Sequence, residues 1–355
     1  MKTKLSLFLL FAFMLSLSLK AQNSAITNAI LYQRDSNLVK AKQNIDLACE
    51  NEKTKTSPKA WYYKGLIYSD IYKSDKVEVK EQAGDAIKVS TDALLKAKTL
   101  ENNTNGEYTR LSDNQLQENW VNLINRGIAY YQTTKYQDAL DMYDIASKIK
   151  PNDTTAYVYG AFAAEGLGKG DIALSNCNKL LTMNYKSTYV YKKVISSFLD
   201  QKDYTSAITL ANKALVDFPL DKDLLGMRTS AYHASGKIDE GIEVVKNDLK
   251  SKPYDMELLT NLAILYNYKN DSDKEMEVYN KMIAIEPHNF FANYNSAVIN
   301  FEKGKTLAKN NDKTGANALY KKSLENAKRA KALTIDETDL DNLNKLIDEL
   351  NAQVK

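Results

Sequence analysis

The chain is short of the residues that interrupt helices and of those that staple small folds. Its 355 residues hold only 13 glycines and 5 prolines, together about 5% where ordinary proteins carry roughly 12%. A loop-rich sandwich or barrel needs more of both at its turns, so the composition favours helices joined by short connections. Two cysteines exclude a disulfide framework and two histidines leave little for a zinc site. A surplus of one charge is also lacking. The 48 basic and 45 acidic side chains give +3, but Lys2, Lys4 and Lys20 stand in the first 21 residues with no acid, so the remainder is balanced. Balanced charge makes nucleic acid a poor first guess as a partner. Hydrophobic residues at 44% and charged ones at 26% exclude wholesale disorder.

Long apolar runs are absent apart from one. Met1–Gln22 places two lysines before an apolar stretch from Leu5 to Leu19, followed by Lys20, Ala21 and Gln22. A positive start, a short apolar middle and a small residue at the cut predict a secretory signal peptide over residues 1–21. The stretch falls short of the ~20 residues that span a bilayer. The first cysteine is Cys49, so no lipid-attachment cysteine stands at the cut. The expectation is a mature protein without a membrane span, exported and then periplasmic or secreted.

Internal periodicity is the strongest feature. Pro151, Pro219, Pro253 and Pro287 are separated by 68, 34 and 34 residues, with Tyr185 at the skipped place. Ala139, Ala173, Ala207 and Gly241 keep the same interval and reach Glu275. A third series runs Gly127, Ala161, Ile195, Thr229, Ala263 and Ala297, and a fourth Tyr143, Cys177, Ala211, Val245 and Tyr279. The period and residue types resemble the tetratricopeptide repeat (TPR). The best copy is 120–153, where Leu123, Gly127, Tyr130, Ala139, Tyr143, Ala146 and Pro151 occupy the signature places. Further copies follow at 154–187, 188–221, 222–255 and 256–289. A last unit opens with Asn293 and Ala297, carries an insertion around Gly304–Gly315 and resumes at Ser323, Ala327 and Ala330. Upstream, Trp61, Gly65 and Tyr68 begin a unit whose second helix, with Ala86, Ser90 and Ala93, follows extra residues. Ala25, Ala29, Tyr32, Ala41, Ile45 and Ala48 form a weaker first unit.

The resemblance implies an all-α fold, a right-handed α-solenoid of about eight helical hairpins, each needing its neighbours to cover its apolar face. The organisation expected is N-terminal units over 22–104, a linker and extended helix start over 105–119, an array over 120–337 and a capping helix over 338–355. The interval 99–119 is the one candidate boundary. The cap is read from Leu340, Leu343, Leu346, Ile347 and Leu350, which make one apolar stripe at helical spacing. Cys49 and Cys177 fall on packed places three repeats apart, separated by roughly 30 Å in such a stack. They are expected as buried free thiols.

Strings that tempt an enzymatic reading fail on context. Gly304-Lys305-Thr306 has Ile299 where a phosphate loop needs glycine, and no strand precedes it. Gly166, Gly168 and Gly170 fall at a turn between helices, as do Asn270, Asp271 and Asp273, which lack the glycine and distant glutamate of a calcium loop. His233 and His288 have no paired ligand at metal spacing. No catalytic residue, cofactor site or metal site is expected.

The TPR resemblance further implies a groove lined by the first helix of each hairpin. Carried onto this sequence, its lining places include Asn125, Tyr131, Tyr159 and Phe162, then Tyr189, Lys192 and Lys193. His233, Asn261, Tyr268, Tyr294 and Asn295 complete the candidate set. Asn125, Asn261 and Asn295 share the place where some TPR domains bond an extended peptide's backbone, since an amide side chain both donates and accepts. The chaperone-tail clamp of Lys, Asn and Arg is not present as an ensemble. These readings predict a non-catalytic scaffold that binds a protein or peptide partner, with a cell-envelope, outer-membrane or secretion assembly as its setting. Carbohydrate binding by the exposed tyrosines is the alternative.

Overall fold

The computed structural model describes residues 25–81 and 84–354, and the expected signal peptide at 1–21 lies outside them. The described residues are helical throughout and contain no strand. They fall into two compact units, one ending at Tyr185 and the other starting at Lys186. The first holds α1 (25–34), α2 (Leu38–Glu50), α3 (Pro58–Lys73), the short α4 (Val77–Glu81), α5 (Ala86–Glu101), α6 (Glu107–Gln132), α7 (Tyr136–Ile149), α8 (Thr154–Gly166) and α9 (Gly170–Thr182). The second holds α10 (Thr188–Asp200), α11 (Tyr204–Asp217), α12 (Lys222–Ala234), α13 (Ile238–Ser251), α14 (Met256–Tyr268) and α15 (Ser272–Ile285). It ends with α16 (Phe290–Lys309), α17 (Lys313–Lys331) and α18 (Glu337–Gln353).

The 34-residue interval is written into the helix ends. The first helix of successive hairpins is capped by Asp153, Ser187, Asp221, Asp255 and Asn289. All but Ser187 accept a hydrogen bond from a backbone N–H of the first turn, which satisfies one orphan donor and contributes about 1 kcal/mol each. Between the two helices of each hairpin one residue takes the left-handed conformation: Thr134, Gly168, Lys202, Gly236 and Asn270, with φ of 58, 69, 60, 72 and 60°. The next residue's N–H then reaches back across the turn, as from Lys135 to the Tyr130 carbonyl (2.9 Å) and from Asp271 to that of Tyr266 (3.0 Å). This is the Schellman closure, repeated once per hairpin.

Packing inside each hairpin follows complementary volumes. A Cβ on Gly127 of α6 would lie 2.5 Å from Cε1 of Tyr143 on α7, so the tyrosine ring fills the space that glycine leaves. One repeat on, the places equivalent to Gly127 and Tyr143 hold Ala161 and Cys177, and in the next Ile195 and Ala211, all buried at 0% exposure. Where one helix carries a small residue in these pairs, the other can carry a larger one. The two units with insertions use a different device. Ser90 and Ser323 replace the aromatic of the second helix, and their hydroxyls donate to the backbone carbonyls of Gly65 and Ala297, both at 2.7 Å.

The interval 99–119 holds the end of α5 and the first half of the continuous α6. A buried polar network sets α6 in place: Asn119 donates to Ser90 Oγ (2.9 Å) and accepts from Ser69 Oγ (3.1 Å), and Gln115 donates to both Ser69 and Asn119. The insertion of the last unit is likewise helical, since it lengthens α16 and α17 on both sides of a turn at 310–312. Leu343 and Leu350 of α18 are fully buried against Ala327, Ala330 and their neighbours, as the apolar stripe predicts. Burial of each leucine is worth ~1.5–3 kcal/mol. Cys49 and Cys177 are both buried and form no disulfide, and burial pushes the Cys49 thiol up to about 12.

Candidate functional site

The strings that resembled phosphate or calcium loops serve the fold. Gly304 sits within α16, with the Tyr320 ring where its Cβ would be, so Gly304-Lys305-Thr306 is mid-helix. Gly168 and Asn270 supply left-handed turn residues, and Asp271 caps α15 through Lys274 N–H. Among the described residues no cluster of three or more His, Cys, Asp or Glu is placed to hold a metal ion. Nor is any helix of those residues long and apolar enough to cross a membrane.

In the first unit, Asn125 lies exposed on α6, at the margin of an open depression of about 520 Å³ formed with Tyr72, Lys73, Lys80, Glu118 and Arg126. Arg126 is held there by Tyr130, whose hydroxyl accepts from its Nε at 3.1 Å, and its guanidinium lies over the Tyr72 ring at 5.3 Å. Tyr131 is half-buried and meets Tyr136 edge-on at 5.3 Å. Tyr159 is 37% exposed and stacks on the buried Tyr143 at 5.6 Å. Phe162 is half-buried on the same helix. Tyr143 has no partner for its hydroxyl, and burial raises its pKa.

In the second unit, the first helices α10, α12, α14 and α16 carry Tyr189, Lys192, Lys193, His233, Tyr268, Tyr294 and Asn295. The structure brings together His233 of α12 and Tyr268 of α14, whose rings stack at 3.7 Å with a 12° interplanar angle. His233 is exposed and Tyr268 is 37% exposed, so one edge of this two-ring platform faces solvent. Tyr189, Lys193 and Tyr294 are half-buried, and Tyr294 leans on Phe290 at 5.6 Å.

Two candidates are committed within the chain. Asn261 was expected to read a partner's backbone, but it is 4% exposed. Its Oδ1 accepts from Thr229 Oγ1 (2.7 Å) and its Nδ2 donates to the Glu257 carbonyl (2.8 Å), so the amide joins α14 to α12. The reason is the threonine one repeat earlier, which offers a closer donor than any ligand could. Lys192 bridges Asp223 (2.7 Å) and Asp221 (3.0 Å) at the start of α12. The bond to Asp223, foremost, raises the lysine's pKa and lowers that of the aspartate. Asn295 is partly engaged, its Nδ2 donating to the Phe291 carbonyl at 2.8 Å.

Arg228 was not among the sequence candidates. It lies on α12 between the buried pairs Leu224–Leu225 and Ala231–Tyr232, and is itself 4% exposed. The signal available was a charge at a place whose helical spacing belongs to the core.

No family model matches the chain. Among curated proteins it is 29% identical over 197 residues to the zebrafish (Danio rerio) vacuolar protein sorting-associated protein 41 homolog, an alignment covering 49% of this chain. The chain thus spans only 23% of that relative's length. Among solved structures it is similar to the C-terminal part of a TPR repeat-containing protein from Cytophaga hutchinsonii, with 14% identity, TM-score 0.43, 65% of this chain and 99% of that one covered. MamA aligns at 17% identity and TM-score 0.39, covering 47% and 92%. YrrB, a TPR protein with an unusual peptide-binding site, aligns at 18% and 0.37, covering 57% and 96%. What identifies the fold is internal: two-helix units on a 34-residue register, with caps, left-handed turns and small–large pairs in phase. The chain is an all-α protein of the tetratricopeptide repeat fold.

Proposed function

We propose that this chain is a non-catalytic scaffold that binds a segment of a protein partner on the face formed by the first helices of its hairpins. The observation that carries the reading is the His233–Tyr268 stack, a solvent-facing aromatic platform built across two consecutive repeats. Flat rings supply contact area at low conformational cost, because few side-chain torsions are lost on binding. Tyr159 and Asn125 offer comparable exposed groups within the first unit. Lys192 and Asn261 are left out of the contact set because their polar atoms are engaged inside the fold. The setting proposed is an exported protein acting as an accessory component of a cell-envelope or secretion assembly, on the strength of the N-terminal lysine-plus-apolar segment.

The test begins with crosslinking and affinity purification of the mature chain from its native envelope. The binding constant of the partner so identified is then measured for His233→Ala and Tyr268→Ala. Truncation at a true contact costs on the order of 1–3 kcal/mol, so affinity should fall about fivefold or more. Unchanged affinity in both variants removes the first-helix face from the reading. A glycan that binds the platform with no polypeptide partner would replace the scaffold by a carbohydrate-binding role.

A further inference from the structure

The second unit contains a cavity that the first-helix reading does not use. It has a volume of about 340 Å³ and is lined by residues of α11, α12, α13 and α14. That size suits a single anchoring group with its neighbours. Leu215, Val216, Leu225 and Leu258 give it apolar walls, and Arg228 lies among them with Asp248 and Lys252. The Arg228 guanidinium donates to Asp248 Oδ2 (2.6 Å) and more weakly to Asn212 Oδ1 (3.3 Å). Its Nε–H is buried and has no acceptor. A guanidinium carries five N–H donors, and a buried donor left unpaired costs free energy. The site therefore lacks an acceptor, and with two cations against one carboxylate it favours a negative one.

Exposed apolar side chains stand in or next in sequence to the lining. Val216 is 82% exposed, while Leu220 (45%) and Tyr254 (70%) stand on the same inter-hairpin connections as Pro219 and Lys252. Exposed apolar side chains around a part-apolar cavity mark a surface meant to be covered, and one broader than a small molecule. We propose that this cavity is a second docking site, which takes an aliphatic side chain of a partner polypeptide lying next to an Asp or Glu. The aliphatic group fills the space between Leu225 and Leu258, and the carboxylate accepts from Arg228 with Lys252 beside it. This site is independent of the His233–Tyr268 platform.

The test uses the full chain and three blocked tetrapeptides, Gly-Glu-Leu-Gly, Gly-Gln-Leu-Gly and Gly-Glu-Ala-Gly, titrated by NMR. The Glu-Leu peptide should shift the backbone amides of Val216 and Lys252 and bind at least tenfold more tightly than the other two. Its affinity should fall as salt rises, because the attraction is partly ionic. Val216→Asp changes an exposed position, so the fold is retained, and it should abolish the shifts by placing a like charge at the mouth. His233→Ala should leave them unchanged, which separates this site from the first-helix face. Equal binding of the three peptides, or full binding by Val216→Asp, overturns the proposal. So does 4-methylpentanoate binding as tightly as the Glu-Leu peptide, since the cavity would then be a small-acid site.

Discussion

Replacing Gly127 with alanine tests the packing rule on which the hairpins rest. In an ordinary helix interior the change is favourable by about 0.8–1 kcal/mol, because alanine loses less backbone entropy. Here the new Cβ would stand 2.5 Å from Cε1, 2.8 Å from Cζ and 3.0 Å from Cδ1 of Tyr143. The ring cannot retreat freely: it is 1% exposed and stacks on Tyr159 at 5.6 Å. Overpacking of this kind costs ~1–3 kcal/mol, which outweighs the helical gain. Gly127→Ala should therefore lower the midpoint of urea unfolding, followed by far-ultraviolet circular dichroism. The decisive arm is the same change in a Tyr143→Ala background, where the obstruction is gone and only the helical preference remains. There the sign should reverse, and alanine should stabilise by up to about 1 kcal/mol. The difference between the two backgrounds isolates the overpacking cost, a coupling of ~1–3 kcal/mol between positions on facing helices. Gly127→Ala with wild-type stability, or an equal loss in both backgrounds, would refute the volume-pairing argument.

Two further outcomes follow from the same geometry. Thr134 is β-branched and holds φ at 58° where equivalent turns use Gly168 and Gly236, so Thr134→Gly removes a strain of ~1–2 kcal/mol. Part of that is offset by the freer unfolded chain, and a net gain of about 0.5–1 kcal/mol should appear as a raised unfolding midpoint; a loss would contradict the assignment of strain. Asp46 is pushed up by burial, but bonds from Lys64, Lys42 and Tyr68 outweigh this and leave its pKa below the usual value. Its contribution is therefore fully present above the ordinary carboxylate range near ~4 and is lost as pH falls through the lower folded pKa. Asp46→Asn should be less stable than wild type at pH 7, with the difference shrinking on acidification, and a gap independent of pH would count against the network.

Much of the fold is legible in the sequence. The spacing of Gly127, Ala161 and Ala297 and of Tyr143, Cys177 and Tyr279 reports which residue faces which within a hairpin, because helical register is a local property. The stripe from Leu340 to Leu350 announced α18 for the same reason. The two insertions were visible only as breaks in the count. Whether extra residues form a loop, a separate turn such as α4 or longer helices such as α16 and α17 depends on what they pack against.

The candidate site was legible in part. The register placed His233 and Tyr268 on first helices, but only the packing of α12 on α14 stacks them. It gave Asn125, Asn261 and Asn295 one equivalent place, yet the structure leaves the first exposed, half-engages the last and binds Asn261 to Thr229. Periodicity encodes how side chains are arranged about one helix axis, and that much the residues alone determine. Which polar atom finds a partner, and where a cavity remains beside Arg228, is decided by neighbours distant in the chain. Those distances are set only when the helices have packed.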